Sequence, residues 1–167
     1  MSQATNQANI HPFPARMAPE IVIRALGNLK SNEIILDPMV GSGTVLHHAA
    51  LKGHKTLGFD LDPLAILMSR VRTSKIDFKK LDGLFEKIFL ELETLKLSEI
   101  TLPWIDNNQE TQDFIKFWFA KKQANDLRKL SFLLNKHQLQ KDSIEIDALR
   151  IAFSRIIITK KVGASLA

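Results

Sequence analysis

The sequence predicts an α/β fold, in which a strand–glycine-loop–helix–strand unit is followed by a helix-rich segment. The first observation is a short apolar run at residues 34–36, which leads into a glycine loop at residues 37–44 and then into helix-forming residues. The second is another strand-like run at residues 55–59, which ends in Asp60. The third is helical spacing of apolar residues from Pro63 onward. Together these patterns indicate one strand–helix–strand unit and then helices.

The chain divides into three parts by composition. Residues 1–9 are rich in Gln and Asn and lack apolar periodicity, so we expect a disordered tail. Residues 10–75 form the predicted strand–loop–helix–strand unit, and residues 76–167 form the helical segment. A chain of 167 residues with 45% hydrophobic residues can bury a core of its own.

The apolar spacing also predicts individual helices. The first is expected to run from Pro19 to about Leu29 and to bury Ile21, either Ile23 or Val22, Leu26 and Leu29. Further helices are predicted at about residues 63–72, 77–97 and 121–135, and around residues 149–157. Aromatic and basic residues interleave at residues 117–122, a pattern that could stack on unpaired bases. The simpler interpretation places these aromatic rings in the core and the lysines in water.

The glycine loop has the chemistry of a ligand-binding turn. Gly41 and Gly43 allow backbone angles that other residues avoid, and they leave no side chain between the backbone and a ligand. Ser42 or Thr44 is predicted to cap the following helix. Asp37 would repel a phosphate, and the Gly-Lys-Ser/Thr ending of a P-loop is missing. The loop therefore favours a cationic or amino-bearing ligand.

A second acid follows at the end of the next predicted strand. Asp60 lies about 20 positions beyond the glycine turn, the distance at which nucleotide-binding α/β units place an acid for ribose hydroxyls. One carboxylate can accept hydrogen bonds from two adjacent hydroxyls. We expect Asp62 to cap the helix that starts at Pro63 rather than to bind the ribose.

Composition limits the function classes. The formal charge is +5 and the sequence pI is about 9.5, which leans towards a polyanionic partner. The absence of cysteine excludes a disulfide framework, a cysteine-based zinc site and a cysteine nucleophile. His47, His48 and His54 lack metal-ligand spacing and are expected to be solvated helix residues, so no metal is predicted. No apolar run is long enough for a membrane span and residues 1–9 are polar, so we expect a cytoplasmic protein.

These motifs resemble a known enzyme family. Asp-Pro-Met-Val-Gly-Ser-Gly-Thr followed by Gly-Phe-Asp-Leu-Asp-Pro resembles the cofactor half of S-adenosylmethionine-dependent amino-methyltransferases of nucleic acids, most closely the DNA N4-cytosine/N6-adenine group. The resemblance implies a partial Rossmann-like methyltransferase fold, S-adenosyl-L-methionine as cofactor and DNA as partner. It places the cofactor's methionine part on the first acid and the loop, and its ribose on the second acid. A His-Pro-Phe-like segment closes the methionine end. The implied cofactor-binding residues are His11, Phe13, Arg16, Asp37, Pro38, Gly41, Ser42, Gly43, Thr44, Asp60 and Leu61.

One part of the family pattern is missing from the sequence. The family receives the target amine on Asp, Asn or Ser followed by Pro-Pro and an aromatic residue. This chain has no adjacent prolines and no tyrosine, so no catalytic residue is assigned. We expect a truncated or split DNA methyltransferase that is inactive alone, with a second polypeptide carrying the catalytic half. The alternatives are a fragment of an RNA guanine-N2 methyltransferase and a non-catalytic helical interaction module that retains the loop.

Overall fold

The computed structural model describes residues 17–30, 32–140 and 143–157 of the chain. The chain forms two units, Met1–Lys75 and Ile76–Ala167, which we call the first unit and the second unit. The predicted tail at residues 1–9 lies outside the described residues, as do His11, Phe13 and Arg16.

The first unit alternates helices and strands in the predicted order. Its elements are α1 (Pro19–Leu26), β1 (Ile34–Asp37), α2 (Thr44–Leu51), β2 (Lys55–Gly58) and α3 (Pro63–Thr73). Helix α1 begins at Pro19 and is capped by Gly27, so it ends earlier than predicted. It buries Val22 and Leu26, which lie one turn apart on one face. The expectations that Ile21 and Leu29 are buried are wrong. Ile21 points away from the side of α1 that carries Val22 and Leu26, and Leu29 lies beyond the helix, so both are exposed.

The two strands pair in parallel, with Ile34 opposite Lys55 and Asp37 opposite Gly58. Side chains alternate between the two faces of a strand. On one face, Ile35 of β1 packs against a cluster formed by Val22, Leu26 and Ala49. The other face presents Ile34, Leu36 and Leu57, which are 69%, 58% and 51% exposed. Within the described residues the sheet has only these two strands, so one edge of β1 is unpaired there.

The second unit is helical, as predicted. It contains α4 (Phe78–Thr94), a short 3-10 helix (Leu97–Glu99), α5 (Pro103–Asp106), α6 (Gln109–Trp118), α7 (Lys121–Gln140) and α8 (Ile144–Ile157). The Asp77 carboxylate begins α4 by accepting hydrogen bonds from the N–H groups of Lys79 and Lys80. The Asn108 side chain begins α6 in the same way through the N–H of Thr111. The sequence pattern did not identify α5 or α6 as helices.

The core of the second unit lies between α4, α7 and α8. Its fully buried members are Ile88, Leu133, Leu134 and Ile146. Partly buried apolar side chains surround them, namely Leu84, Leu92, Leu95, Leu130, Phe132, Leu149 and Phe153. The part of the core that comes from residues 78–95 is Leu84, Ile88, Leu92 and Leu95, whereas Phe78, Phe85 and Phe89 are exposed.

The prediction that the aromatic residues near position 117 enter the core is wrong. Phe117 is 79% exposed and Trp118 is 38% exposed. Phe114, one turn earlier on α6, is 52% exposed. Ile115 on α6 and Phe119 directly after it are partly buried instead and line a cavity. They lie on a different side of the helix from Phe117.

Candidate functional site

The glycine loop connects β1 to α2 and is anchored on the end of β2. The N–H of Phe59 donates to the carbonyl of Asp37, and the N–H of Val40 donates to the carbonyl of Phe59, each at 2.9 Å. These bonds continue the pairing of the two strands into the loop. Gly41 and Gly43 have φ angles of 49° and 75°, in the left-handed region that favours glycine. The loop therefore lies at the carboxyl ends of two parallel strands, where open α/β sheets bind ligands.

Asp60 lies against this loop. Its Oδ2 accepts a hydrogen bond from the N–H of Gly41 at 2.8 Å, and its Oδ1 accepts one from the N–H of Asp62 at 2.9 Å. These two N–H groups, Asp62 first, hold the pKa of the Asp60 carboxyl below its usual range. The carboxylate is therefore ionised at neutral pH and fixed beside the glycine loop. Its side chain is only partly buried, so it remains accessible to a ligand.

Asp37 has a more structural role than Asp60. Its Oδ1 accepts a hydrogen bond from the N–H of Met39 at 3.1 Å, which forms a local turn at the start of the loop. The residue is only 9% exposed. Pro38 and Met39, which follow it, are exposed. The structure thus places Asp37 at the loop entrance but leaves Asp60 as the more accessible of the two predicted acids.

Two glycines allow the backbone to approach its neighbours closely. A Cβ atom at Gly43 would lie 2.9 Å from the Cα and Cβ of Ser69 on α3. A Cβ atom at Gly58 would lie 2.3 Å from Cγ1 of Val40 and 2.5 Å from Cδ1 of Leu46. Gly43 was predicted from the motif, whereas the packing role of Gly58 was missed. Its place at the end of a strand followed by an acid is the signal that could have identified it.

The cap predicted for α2 is wrong. The N-cap residue is Gly43, and no side chain caps the helix. The hydroxyl groups of Ser42 and Thr44 lie 3.2 Å apart and hydrogen-bond to each other instead. Both residues are buried, so their hydroxyls satisfy each other inside the loop.

Arg72, on the last turn of α3, hydrogen-bonds to the glycine loop. Its Nη1 donates to the carbonyl of Ser42 at 3.0 Å and lies 3.4 Å from Oγ1 of Thr44. Nδ1 of His47 lies 3.0 Å from the carbonyl of Arg72, which ties α2 to the same turn. The sequence did not identify Arg72 as a site residue. Its spacing of three residues from Ser69, which touches Gly43, places both on one side of α3.

The prediction that the three histidines are solvated helix residues is wrong for two of them. His48 is 8% exposed on α2, and His54 is 7% exposed and lies after the helix. Burial lowers the pKa of His48, and the nearby His47 and Arg72 lower it further. Nδ1 of His54 is buried without a hydrogen-bond partner. Residues of metal-binding type do not cluster anywhere in the described residues.

The remaining predicted site residues are placed as follows. Leu61 is fully exposed directly after Asp60. The structure therefore brings together Asp60, Gly41 and the rest of the loop, with Leu61 beside them. No helix among residues 17–30, 32–140 and 143–157 combines the length and apolar character that a bilayer span requires.

The site offers carboxylates and backbone groups. Among the residues that the structure describes, no group of His, Cys, Asp and Glu side chains could hold a metal ion. An ionised carboxylate has about four lone-pair positions, and the two backbone N–H groups at Asp60 use two of them. The other positions can accept hydrogen bonds from two ligand hydroxyls. This donor and acceptor set suits a ligand that carries a ribose diol and a positive charge.

The second unit contains a cavity. It has a volume of about 700 Å³ and is formed by α5, α6, α7 and α8. Apolar side chains form most of its wall, including Ile115, Phe119, Leu127 and Phe153. The ion pair between Arg128 and Asp106, at 2.5 Å, is part of the lining.

Comparison with known proteins gives two relatives. The chain is 33% identical over 84 residues to Type II methyltransferase M.MjaII of Methanocaldococcus jannaschii, a match that covers 50% of this chain and 15% of that protein. It is 28% identical over 134 residues to Type II methyltransferase M.MvaI of Kocuria varians, covering 75% of this chain and 28% of that protein. No protein-family model and no solved structure matches the chain. The chain spans less than a third of either relative, and both similarities support a methyltransferase family for it.

Proposed function

We propose that this chain is the S-adenosyl-L-methionine-binding portion of a DNA methyltransferase that acts on the exocyclic amine of cytosine (N4) or adenine (N6). The observation that carries the proposal is the hydrogen bond between the Asp60 carboxylate and the N–H of Gly41. It joins an acid at the end of one strand to a glycine loop at the end of its parallel neighbour. Similarity to two type II methyltransferases supports the reaction class.

The residues at the loop fit this cofactor. We assign the ribose hydroxyls to Asp60, because its carboxylate is accessible and has acceptor positions left. We assign the methionine part to the loop from Asp37 to Thr44, where the acid suits an amino group and the glycines permit close approach. When bound, the cofactor supplies a methyl group on a sulfonium sulfur. Leu61 and the three residues outside the described part, His11, Phe13 and Arg16, complete the proposed wall.

The proposal also assigns the amine-receiving groups to polypeptide other than this sequence. Group transfer depends on an acceptor held beside the donor. The chain has no Pro-Pro-aromatic segment to orient the amine of a base turned out of its stack. We therefore propose that methyl transfer needs a second polypeptide, or further chain, that carries this segment.

The first unit has a surface suited to such an addition. The exposed sheet face formed by Ile34, Leu36 and Leu57 is apolar, although parallel sheets are normally covered on both faces. The free edge of β1 can pair with another strand. A further α/β segment that adds a strand beside β1 and a helix over this face would remove both features from water.

Binding of S-adenosylhomocysteine tests the cofactor part of the proposal. We expect micromolar affinity for the full chain by isothermal titration calorimetry. Asp60→Ala should lower the affinity more than a hundredfold, because two charge-assisted hydrogen bonds to the ribose are lost. Asp60→Asn keeps an oxygen for the N–H of Gly41 and should lower the affinity less, which separates ligand binding from anchoring of the loop.

Asp82→Asn is the matched control, because Asp82 is an exposed acid in the second unit and loses the same charge. Its affinity should equal that of the unchanged chain. If the unchanged chain fails to bind at millimolar ligand, the non-catalytic helical module becomes the better explanation. If Asp60→Ala binds normally while folded, the ribose assignment is wrong.

Methyl transfer tests the rest of the proposal. We expect no incorporation of tritiated methyl groups into mixed-sequence duplex DNA by this chain alone. A co-expressed polypeptide that carries an Asp/Asn/Ser-Pro-Pro-aromatic segment should restore incorporation. Transfer to structured RNA but not to DNA by the restored pair would favour the RNA guanine-N2 alternative, and strong incorporation by the chain alone would contradict the split arrangement.

A further inference from the structure

Three aromatic side chains form an exposed cluster on α6 of the second unit. The rings of Phe117 and Trp118 meet edge to face with centroids 5.1 Å apart, and those of Phe114 and Trp118 lie 6.1 Å apart. Their exposed fractions are 52% for Phe114, 79% for Phe117 and 38% for Trp118. Removing large apolar rings from water lowers the free energy. The cluster therefore points to a ligand with apolar faces.

The surroundings of this cluster are basic. Between positions 113 and 129 the sequence has two acidic residues, Asp113 and Asp126, and five basic residues, namely Lys116, Lys121, Lys122, Arg128 and Lys129. Lys121 and Lys122 are exposed and make no ion pair within the described residues. They occupy the first turn of α7, where the positive end of the helix dipole adds to their charge.

The lysines lie close to the rings by chain geometry. Only residues 119 and 120 separate Trp118 from Lys121, so their Cα atoms are at most about 11 Å apart. Lys116 on α6 lies about 160° around the helix from Phe114 and from Trp118, so it is not part of the ring cluster. Its ion pair with Asp113, at 3.5 Å between side chains that are 69% and 61% exposed, is screened by water and weak.

Another exposed aromatic pair on the second unit has the opposite surroundings. Phe85 and Phe89 on α4 stack with centroids 6.2 Å apart and are 56% and 50% exposed. Between positions 82 and 93 the sequence has one basic residue, Lys87, and four acidic residues, namely Asp82, Glu86, Glu91 and Glu93. Exposed aromatic rings thus occur in both places, but only the α6 cluster combines them with positive charge.

We propose that the α6 cluster, Phe114, Phe117 and Trp118 with Lys121 and Lys122, binds unpaired nucleotides of a nucleic acid strand. The rings stack on bases, and the ammonium groups contact the phosphates that link them. Flat rings accept any base, whereas a docked apolar protein helix would not require the two lysines. This surface belongs to the second unit, whereas the glycine loop belongs to the first, and it goes beyond the cofactor function proposed above.

Anisotropy of a 5′-fluorescein-labelled oligothymidylate of 15 nucleotides tests the surface, with the full chain and no cofactor present. Phe117→Ala and Trp118→Ala should each weaken binding about tenfold, because each removes a stacking contact. The double variant Lys121→Gln/Lys122→Gln should reduce the slope of log affinity against log salt by about 1.4, since each phosphate contact on a single strand contributes about 0.7.

The double variant Phe85→Ala/Phe89→Ala is the control, because it removes exposed stacked rings from acidic surroundings. Its oligonucleotide affinity should stay unchanged. Phe117 is the more exposed ring, so Phe117→Ala should keep the far-ultraviolet circular dichroism of the chain even if Trp118→Ala does not. Absence of oligonucleotide binding at 50 mM salt overturns the proposal in favour of a protein-docking face. Equal affinity of both ring variants and the unchanged chain overturns it as well.

Discussion

The two units differ in how completely they bury their own apolar surface. The second unit surrounds Ile88, Leu133, Leu134 and Ile146 with side chains from its own helices. The first unit has two small clusters instead, one around Ala49 and one formed by Val40, Leu46 and Ala65, and it leaves one sheet face exposed. The unit with the glycine loop is thus the less self-sufficient of the two. Parallel sheets are normally covered on both faces, so the exposed face of the first unit is the unusual one.

The largest expected effect comes from the core of the second unit. Leu133 is 1% exposed, and Leu133→Ala should lower the free energy of unfolding of this unit by about 2–5 kcal/mol. Both tryptophans, Trp104 and Trp118, belong to the second unit, so their fluorescence in a urea titration reports on it alone. Affinity for S-adenosylhomocysteine should remain unchanged. Loss of that affinity would contradict the comparison, because it would show that ligand binding by the first unit depends on the core of the second unit.

The next effect concerns the close contact between the glycine loop and α3. Gly43→Ala should lower stability by about 1–3 kcal/mol and weaken cofactor binding, since the residue has a φ of 75° and its Cβ would press against the backbone of Ser69. Gly53→Ala is the matched control. Gly53 has a φ of 81°, but a Cβ there meets nothing within 4 Å. Thermal unfolding and calorimetry should therefore find a larger loss for Gly43→Ala, and equal losses would mean that the contact with α3 is unimportant.

A smaller effect on stability is expected at the exposed sheet face. Leu36→Lys should change the free energy of unfolding of the chain by no more than about 0.5 kcal/mol, because the side chain is already 58% exposed. This variant should nevertheless abolish the methyl transfer that a second polypeptide restores, because burying an unpaired charge in the interface would oppose docking. Ile21→Lys, on the exposed side of α1, is the control and should leave restoration intact. Full restoration with Leu36→Lys would place the docking surface elsewhere.

The smallest effect is a difference in acid sensitivity. The lowered pKa of His48 means that the unfolded chain takes up a proton below about pH 6.5 that the folded first unit resists. The first unit should therefore lose stability as the pH falls from 7 towards 5.5. In the second unit, the hydrogen bond from Lys136 lowers the pKa of Glu91, and the N–H of Leu102 lowers that of Asp106. Those contributions are lost only below about pH 4.5.

Hydrogen exchange of peptides from the two units at pH 7 and pH 5.5, corrected for intrinsic rates, measures this difference. Protection in the first unit should fall at pH 5.5, while protection in the second unit should hold. His48→Gln should remove most of the pH dependence of the first unit, because glutamine does not titrate. An unchanged pH dependence in that variant would assign the effect to another group.

Local sequence signals determined much of the first unit. The order of strands, loop and helices followed from apolar runs and glycines. The Asp62 carboxylate caps α3 through the N–H of Leu64 at 2.8 Å, as predicted from Pro63. Gly53 follows the end of α2 with a positive φ, as is common for a glycine just after a helix. These features depend on interactions between residues that are close in the chain, so a single sequence contains the necessary information.

Tertiary structure decided the features that depend on distant residues. The contact of Asp60 with Gly41 and that of Arg72 with Ser42 join residues 19 and 30 positions apart. Neither the burial of His48 nor the exposure of Phe117 could be read from a period of 3.6 residues. A helix period gives the relative directions of side chains, but which direction faces the core depends on the elements packed around the helix. The cofactor assignments of the loop residues remain predictions, because their chemistry came from the sequence and the structure contributed only their arrangement.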